Sequence, residues 1–288
     1  MTNPSFPTRE EKGHKGTFGS VCVIGGQRSE DGAVMIGAPT LTANAAMRSG
    51  CGKVMLAMPQ QLLQAGLTLA PVVTGVELPV DEVGRLIPSA AIEAIDRHAA
   101  GCRALVIGPG FGSDWPQQQI IATLLSREDR PIILDADGLN AFAKLPSGQL
   151  ELKAPTIMTP HIGEYRRLAV AAGVEGECAQ ALAQAYGCVV VLKSDVTVIS
   201  DGVETIEEQL GSVVLATGGS GDVLTGIIAG ILVQYGVDCI EHIFDAGVLG
   251  VRIHAMAGES FARDHGNTGM LATDLLARIP KAIATLRG

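Results

Sequence analysis

Short β-branched runs alternate with helix-period segments along this chain of 288 residues, and the alternation narrows the folds open to it. Two of the runs, Ala104–Ile107 and Val189–Leu192, are apolar at every position. A strand with two apolar faces is buried on both sides, which is typical of a parallel sheet covered by helices. Strands that alternate with helices form βαβ units. The pattern therefore predicts a three-layer α/β/α protein with a mostly parallel central sheet.

The same pattern places the individual elements. Strands are predicted at Ser20–Ile24, residues 53–57, Ala104–Ile107, Ile132–Leu134, Thr156–Met158, Val189–Leu192, Thr197–Ser200 and Val213–Leu215. Helices are predicted at residues 38–49, 90–99, 117–125, 175–186, 223–234 and 238–261. Asp201-Gly202 lies between two β-branched runs, which is a hairpin signal, so we expect an antiparallel edge to the sheet. No linker or repeat divides the chain, which predicts one domain over residues 1–288 with a flexible segment at 1–12.

Composition and charge exclude several classes of function. The net charge of −9 and the lack of a basic stripe argue against a nucleic-acid partner. No apolar stretch reaches about 18 residues, and no basic segment followed by an apolar one opens the chain, so we expect a cytoplasmic protein without a membrane partner. The six cysteines are scattered and form no C-x-x-C pair, which favours buried reduced thiols over a metal or redox site.

The strongest chemical signature is the glycine loop, which we define as residues 217–222 (Thr-Gly-Gly-Ser-Gly-Asp). A predicted strand leads into it and an amphipathic helix leads out. The backbone amides of its central residues can converge on one point: Gly218, Gly219, Ser220 and Gly221. The helix N-terminus adds partial positive charge, so the loop predicts a nucleotide-polyphosphate site built without lysine. Asp222 suits either a helix-start carboxylate or a general base, and the density of glycine favours the base.

Two further loops follow predicted strands at the same edge of the sheet. Residues 108–112 (Gly-Pro-Gly-Phe-Gly) include Gly110 and Gly112, and this composition favours close approach of the backbone to a ligand over a plain turn. Residues 135–140 place two carboxylates and Asn140 at a strand end. They form either an Asx turn that caps the next helix or a polar wall facing a phosphate-bound Mg²⁺, and we favour the wall.

Two other strand ends carry candidate side chains. Residues 159–164 put His161 and Glu164 three positions apart at a predicted helix start, where both can face one pocket. A lone histidine is more often structural, but a strand-end histidine beside a glutamate is a better catalytic candidate. Lys193-Ser194-Asp195 closes the strand Val189–Leu192 and forms either a solvated turn or a contact to a nucleotide.

Taken together, eight segments resemble one family, the ADP/ATP-dependent NAD(P)H-hydrate dehydratases, a branch of the ribokinase-like superfamily. The segments are residues 12–20, 23–26, 48–50, 108–112, 135–140, 159–164, 217–224 and 269–275. The glycine loop alone indicates only the superfamily, whereas 12–20, 159–164 and 269–275 are more specific. The resemblance extends from about Lys12 to Pro280 and implies a ribokinase-like fold.

The resemblance implies a repair reaction on a damaged dinucleotide. Water that has added across C5=C6 of the nicotinamide ring is removed from the S epimer of NADH hydrate or NADPH hydrate. ADP or ATP is the implied phosphoryl donor, and Mg²⁺ is the implied cofactor. The implied chemistry is phosphorylation of the C6 hydroxyl followed by loss of phosphate. Asp222 would deprotonate that hydroxyl, and the amides of the glycine loop would hold the transferring phosphoryl group.

The family's contacts carry over to numbered positions. Its substrate contacts fall on Ala38, Gly110 or Gly112, His161 and Asp222. Its adenylate contacts fall on Lys193, Ser194, Asp195, Val196, Thr197 and Gly221. The family usually has glycine where this chain has Ser194. His161 and Glu164 stand where related kinases carry an Asn-x-x-Glu motif that serves the metal-bound phosphate, so Glu164 is expected to act on Mg²⁺ indirectly.

Two other functions stay open at this point. A ribokinase-like kinase of a small alcohol, such as a vitamin precursor, would share Asp222 and the glycine loop, although residues 12–20 and His161 with Glu164 favour the dehydratase. A non-catalytic adenylate sensor would not need Asp222. The family also suggests a homo-oligomer, such as a tetramer. Many relatives carry an additional epimerase domain, and we expect none in this chain.

Overall fold

The computed structural model describes residues 4–146 and 152–288. The strands in this part are β1 (Ser20–Ile24), β2 (Gln27–Arg28), β3 (Val34–Met35), β4 (Lys53–Pro59), β5 (Thr74–Leu78), β6 (Ala104–Ile107), β7 (Ile132–Leu134), β8 (Thr156–Met158), β9 (Val189–Leu192), β10 (Thr197–Ser200) and β11 (Thr205–Glu208). The α-helices are α1 (Gly37–Arg48), α2 (Gln60–Leu69), α3 (Pro88–Ala99), α4 (Trp115–Arg127), α5 (Asp137–Ala143), α6 (Ile162–Ala172), α7 (Ala179–Tyr186), α8 (Ser220–Leu232), α9 (Ile243–His265) and α10 (Ala272–Arg287). Val213–Leu215 and Val233–His242 are 3-10 helices.

The strands of the main sheet follow the order β11-β10-β9-β8-β7-β6-β1-β4-β5. From β9 to β5 all neighbours pair in parallel, which confirms the mostly parallel sheet predicted from the alternating pattern. β10 pairs antiparallel with β9 and with β11, so the antiparallel edge around Asp201-Gly202 is also confirmed. The parallel arrangement brings the loops after β1, β6, β7, β8 and β9 to the same edge, where open α/β sheets bind ligands.

Alternate side chains of each central strand belong to two separate cores. Val21 and Val23 pack on one face of β1, whereas Cys22 and Ile24 pack on the other. The first core lies between the sheet and α1, α8, α9 and α10. The second lies between the sheet and the helices from α3 to α7. Burial on both faces explains why β6 and β9 are apolar at every position, since neither face meets water.

Helices α1 and α8 pack with their backbones in close contact, and this contact helps position the glycine loop. A Cβ built on Gly226 of α8 would lie 2.2 Å from the carbonyl oxygen of Thr42 on α1, so only glycine fits there. The Thr42 hydroxyl also donates to the carbonyl oxygen of Asp222 at 3.0 Å. Through these contacts α1, which begins beside Ala38, is joined to the start of α8.

Several elements differ from the predictions. Val213–Leu215 is a 3-10 helix and not a strand, because β11 already ends the sheet and Val213, 68% exposed, has no neighbouring strand to pair with. The edge strand β5, the small β2–β3 hairpin and the helices α2 and α10 were not predicted. Helix α7 begins at Ala179, after the expected start at residue 175. The predicted helix 238–261 is a 3-10 helix up to His242 and α-helix from Ile243.

Five of the cysteines are buried as expected, and the sixth is not. Cys178, at the N-cap of α7, is exposed, so its predicted burial is wrong. The segment before α7 is exposed, in keeping with the polar residues Glu175, Glu177 and Gln180 on both sides of Cys178. Over the described ranges, we find no helix with the length and apolar character needed to span a bilayer.

Candidate active site

The glycine loop leads directly into α8 through a left-handed residue. Gly219 has φ 87° and forms the N-cap of the helix, a conformation that favours glycine. No side chain caps this helix start. The first amides of an α-helix lack intrahelical partners and carry partial positive charge, so they are available to an anion. The geometry therefore supports the predicted phosphate cradle, although a 3-10 helix leads into it in place of the expected strand.

A lysine stands at this cradle, contrary to the expectation of a site built without one. The Nζ atom of Lys193 lies 3.3 Å from the position that a Cβ on Gly221 would occupy. The same Nζ donates to Asp135 Oδ1 at 2.9 Å, and Thr225 on α8 donates to Asp135 Oδ2 at 2.6 Å. Burial acts to lower the pKa of Lys193, but the carboxylates of Asp135 and Glu164 outweigh it and raise the pKa. Lys193 is therefore charged and fixed by its ion pair with Asp135, so it is not a solvent-exposed lysine.

Asp222 lies in the first turn of α8, half-buried. Burial, together with the charges of Asp135, Asp137 and Glu164, raises its pKa from 3.8 to about 7, against the opposing effect of Lys193. A carboxylate that titrates near neutral pH is suited to accept and release a proton. The environment of Asp222 thus fits a general base, which a simple helix-start role does not require.

The backbone between Asp135 and Asp137 is in an unusual conformation. Ala136 has φ 52° and is the only non-glycine residue with positive φ in the described ranges. Such a conformation is costly for a residue with a Cβ, and it is found mostly at functional sites. It directs Asp135 to Lys193, while Asp137 Oδ2 accepts from the Gly112 amide at 3.0 Å. The end of β7 is thereby tied both to the lysine and to loop 108–112.

His161 and Glu164 face each other across the start of α6. His161 Nδ1 accepts from the Gly163 amide at 2.9 Å, and its Nε2 lies 3.3 Å from Glu164 Oε1. Glu164 Oε2 accepts from the His161 amide at 2.9 Å, which completes a capping box. Burial raises the pKa of Glu164, and the charge of Asp135 adds to this, although Lys193 opposes it. The structure therefore brings His161 and Glu164 together, and each engages the other. The His161 ring is half exposed, whereas Glu164 is buried.

The other predicted contact residues differ in their surroundings, and Asn140 lines a separate cavity with Ser113 and Lys144. A Cβ on Gly110 would lie 3.5 Å from the Cβ of Ala38, so these two candidates are neighbours. Asn140 Oδ1 accepts from Arg167 Nε at 2.8 Å, farther along α5. The turn between β9 and β10 carries Ser194, whose hydroxyl donates to the Val196 carbonyl oxygen at 2.6 Å.

This turn is joined to the histidine loop. Lys193 donates its backbone amide to the Pro160 carbonyl oxygen at 2.8 Å. Asp195 is exposed and Thr197 begins β10. The predicted adenylate segment thus borders the predicted substrate side chain His161, and its first residue, Lys193, extends its ammonium group to Gly221 of the glycine loop.

Sequence reasoning missed one buried pair behind the cradle. His254 of α9 lies 2.9 Å from the Ser220 hydroxyl through Nε2, and both side chains are buried. Burial lowers the pKa of His254 to about 4, so the ring is neutral and holds the hydroxyl of the first helical residue. The two positions are 34 residues apart, and an isolated histidine in an apolar helix pattern gave no signal of this contact.

The carboxylates around the cradle are better suited to a magnesium ion that arrives coordinated by the nucleotide phosphates than to an ion held by protein ligands alone. Both oxygens of Asp135 and both of Glu164 already have partners. No ready-made cluster of metal-ligating side chains occurs in residues 4–146 and 152–288. Mg²⁺ commonly keeps several waters and binds through one or two carboxylates plus substrate phosphates. Asp222 and the free oxygen of Asp137 are the groups able to serve such an ion.

Comparison with solved structures defines the class of protein. The ribokinase of Thermotoga maritima matches 92% of this chain and 99% of its own, with a TM-score of 0.55 and 13% identity. At that identity the likeness concerns the fold alone. The layered sheet, its antiparallel edge and the glycine loop at the start of α8 make this a protein of the ribokinase-like fold.

A narrower assignment comes from sequence. A family model described as NAD(P)H-hydrate dehydratase matches residues 21–281. The ADP-dependent (S)-NAD(P)H-hydrate dehydratase of Neisseria meningitidis is 34% identical over 94% of this chain and 86% of its own length. The bifunctional NAD(P)H-hydrate repair enzyme Nnr of Salinibacter ruber is 33% identical over 97% of this chain. The chain belongs to the NAD(P)H-hydrate dehydratase family.

Two further facts qualify these relationships. The chain spans about half the length of the bifunctional relatives, 51% of the Salinibacter ruber protein and 52% of that of Moorella thermoacetica. The ADP/ATP-dependent NAD(P)H-hydrate dehydratase of Bacillus subtilis, co-crystallised with ATP and Mg²⁺, superposes with a TM-score of 0.76 at 28% identity. That superposition covers 97% of this chain and 94% of the Bacillus subtilis chain.

Proposed function

We propose that this protein uses ADP or ATP to dehydrate the S epimer of NADH hydrate or NADPH hydrate, restoring the reduced dinucleotide. The observation that carries the proposal is Asp222, a half-buried carboxylate whose pKa is raised to about 7 at the N-terminus of α8. It adjoins the uncapped amides of the helix and the ammonium group of Lys193. Family membership then indicates which hydroxyl this base would act on.

The first step of the proposed reaction is phosphoryl transfer. Asp222 takes the proton of the C6 hydroxyl, and the hydroxyl oxygen forms a bond to the terminal phosphorus of the nucleotide. The bond between that phosphorus and the bridging oxygen of the nucleotide breaks at the same time. The amides of Gly218 to Gly221 and the ammonium of Lys193 stabilise the charge on the phosphoryl oxygens. Mg²⁺, when bound to the phosphates, would spread the same charge.

The second step restores the double bond. The C6–O bond breaks and its electron pair leaves with inorganic phosphate, assisted by the lone pair of the ring nitrogen, and C5 then loses a proton. The dihydronicotinamide is thereby regenerated. In this arrangement Ala38, Gly110, Gly112, Asn140 and His161 border the damaged ring and its ribose. His161 reaches the substrate with its exposed edge while its Nδ1 caps α6.

The nucleotide side of the site is proposed at the turn between β9 and β10, next to His161. Lys193, Ser194, Asp195, Val196 and Thr197 form the turn that borders the start of α6, and the glycine loop closes the other side. Glu164, whose oxygens are occupied by His161, would influence Mg²⁺ through its charge and not as a direct ligand.

The test is a hydrate assay run with each nucleotide separately. Purified protein with Mg²⁺ and either ADP or ATP is mixed with NADH hydrate or NADPH hydrate, and recovery of the reduced-nicotinamide absorbance is followed. We expect recovery with at least one nucleotide and none with Asp222→Asn, although that variant should still bind the nucleotide. No recovery with either nucleotide, alongside phosphorylation of a sugar or a hydroxymethyl-pyrimidine, would identify a kinase instead.

We also propose a cytoplasmic homo-oligomer, for which exposed apolar side chains offer a contact surface. Leu69 at the end of α2 is 51% exposed, and Val72 in the following turn is 63% exposed. Exposed apolar residues that cluster often mark contact surfaces. Light scattering coupled to size exclusion measures the assembly directly, and a monomer at micromolar concentration would contradict this part of the proposal.

A further inference from the structure

A second cavity, of about 630 Å³, opens at the same edge of the sheet but outside the site around Asp222. Its walls come from β2 (Gln27 and Arg28), the end of β4, the turn before α3 and the start of α4. The volume lies within the range of small-molecule sites, roughly 300–1,000 Å³. None of the residues assigned above to the reaction belongs to this wall.

The cavity begins where loop 108–112 ends. Gln27 and Gln117 both line it, and both lie against Gly112: a Cβ there would fall 1.9 Å from Gln27 Oε1 and 3.3 Å from Gln117 Nε2. On its other side the same loop touches Ala38 through Gly110. A ligand that passes over loop 108–112 from the Asp222 side would therefore enter this cavity with its far end.

The electrostatics of the cavity suit a phosphate group. Helices α3 and α4 both begin at its wall, and no side chain caps either of them. Arg28 is exposed and has no hydrogen-bond or ion-pair partner among the residues of the two described ranges. Two uncapped helix starts and an unpaired guanidinium together favour an anion.

Two of the three acidic residues in the wall are engaged by their own neighbours. Glu30 pairs with Arg85 at 2.5 Å. Asp81 accepts from the amides of Val83 and Arg85 in its own turn, at 3.0 and 2.8 Å. Asp114 has no such partner in the part of the chain that the structure describes, and it precedes α4, where its carboxylate can accept from a ribose hydroxyl. Arg28 thus remains the cation that a ligand would meet.

Two side chains of the wall lack partners that a nucleoside would supply. Trp115 is 63% exposed, although tryptophan usually buries its ring. Gln117 is 7% exposed, its Nε2 donates to the Phe111 carbonyl oxygen at 3.1 Å, and its Oε1 is the one buried side-chain oxygen or nitrogen without a partner in the described ranges. An unpaired buried acceptor is costly, and a ligand amino or hydroxyl group at this wall would satisfy it.

We propose that this cavity binds a nucleoside phosphate, namely the adenylate half of the dinucleotide substrate. The purine stacks on Trp115, Arg28 and the two helix starts hold phosphate, and Gln117 accepts from the nucleoside. This assignment rests on the proposed function, because it takes the nicotinamide half to lie at Asp222. A free nucleotide has the same chemistry, and the experiments below separate the two sources.

The first experiment measures binding without catalysis. Trp115 is the only tryptophan of the chain, so its fluorescence reports on this cavity alone. NADP⁺ and ADP-ribose should quench the emission of the wild-type protein. In the Arg28→Ala variant the Kd obtained from this quenching should rise about tenfold. The control Arg97→Ala, at an exposed arginine elsewhere on α3, should leave the Kd unchanged. No quenching by NADP⁺ or ADP-ribose would overturn the proposal whatever the reaction is. Quenching by ATP at an affinity equal to that of ADP-ribose would assign the cavity to a free nucleotide.

The second experiment compares the full substrate with a truncated one. With the hydrate of NADPH, Trp115→Ala and Arg28→Ala should each raise KM about tenfold with little change in kcat. With the hydrate of reduced nicotinamide mononucleotide, which lacks the adenylate half, neither variant should change KM, and neither should change the KM for ADP or ATP. A wild-type protein that restores NADPH while both variants keep the wild-type KM would overturn the cavity assignment and leave the proposed function standing. A wild-type protein inactive on every hydrate would instead refute the proposed function, and the fluorescence titration would still decide the cavity.

Discussion

Replacing Asp222 with asparagine should stabilise the folded protein above neutral pH while it abolishes turnover. Burial and the neighbouring carboxylates, Asp135 first among them, raise the pKa of Asp222 from 3.8 to about 7. Each pKa unit corresponds to about 1.36 kcal/mol, so the ionised side chain destabilises the folded state by roughly 4 kcal/mol relative to its ionisation in the unfolded chain. The asparagine variant carries no charge and avoids that cost.

The effect has a defined pH window. Between about pH 4 and pH 7 the folded protein still holds the Asp222 proton that the unfolded chain has released. Fewer protons are then bound in the unfolded state, so this group makes stability fall as the pH rises through the window. Below about pH 4 both states are protonated and the variant should match the wild type. Above about pH 7 the full difference of roughly 4 kcal/mol in favour of the variant should appear.

Urea unfolding of both proteins at about pH 4.5 and pH 8 measures this difference, with Asp129→Asn as the control at an exposed aspartate. The control should shift neither curve. The wild-type kcat for the hydrate should rise with pH through about 7, because only the ionised base accepts a proton. The reasoning is refuted if the asparagine variant gains no more stability at pH 8 than at pH 4.5, or if it keeps a rate near that of the wild type.

Three further changes test other parts of the site. Lys193→Met leaves Asp135 buried without its cation and should lower the free energy of unfolding, measured by urea titration, by about 3–5 kcal/mol. Adding Asp135→Asn should restore part of that loss. An unchanged unfolding midpoint for Lys193→Met would contradict the buried pairing. Ala136→Gly should relieve the positive φ and raise the unfolding free energy by about 1 kcal/mol, and a lower Tm would show that the conformation is not strained. His254→Phe leaves the Ser220 hydroxyl buried without its partner, so it should lower the free energy of unfolding by about 1–3 kcal/mol and raise the KM for the nucleotide. Adding Ser220→Ala should restore the stability but not the KM.

The fold was predictable wherever both faces of an element are buried. The strands β6 and β9 were placed to the residue because every position is apolar, which is a local signal of a central parallel strand. The edge strand β5 pairs only with β4 and mixes Gly75 and Glu77 into its five residues, so its pattern resembles a loop. Val213–Leu215 shows the opposite error, since three apolar residues in sequence do not reveal whether a neighbouring strand remains to pair with them.

The site was predictable as a set of loops but not as a set of contacts. Parallel strands carry their carboxyl ends to one edge, so the loops after β6, β7 and β8 were expected to meet there. The partners within that edge depend on packing between distant positions. Lys193 and Asp135 are 58 residues apart, and no local pattern indicates that the ammonium lies between this carboxylate and the glycine loop. For the same reason the sequence did not show that both carboxylate oxygens of Glu164 are engaged by His161.

A kinase and a dehydratase of this fold share the same first step, and this limits where specificity can reside. A base removes a hydroxyl proton and a phosphoryl group is transferred in both cases, so Asp222 and the glycine loop would serve either reaction in the mechanism that we propose. The reactions diverge only afterwards, and the divergence lies in the substrate, because a ring nitrogen next to the phosphorylated carbon can expel phosphate and an ordinary alcohol cannot.

What this chain must select is therefore the carbon skeleton that carries the hydroxyl. In the arrangement that we propose, that selection falls to the walls on the far side of Asp222: loop 108–112, the β2–β3 hairpin that touches Gly110 through Met35, and the cavity beyond Gly112. Changes in these walls should alter which hydroxyl is presented to Asp222, whereas changes in the cradle should slow every substrate alike.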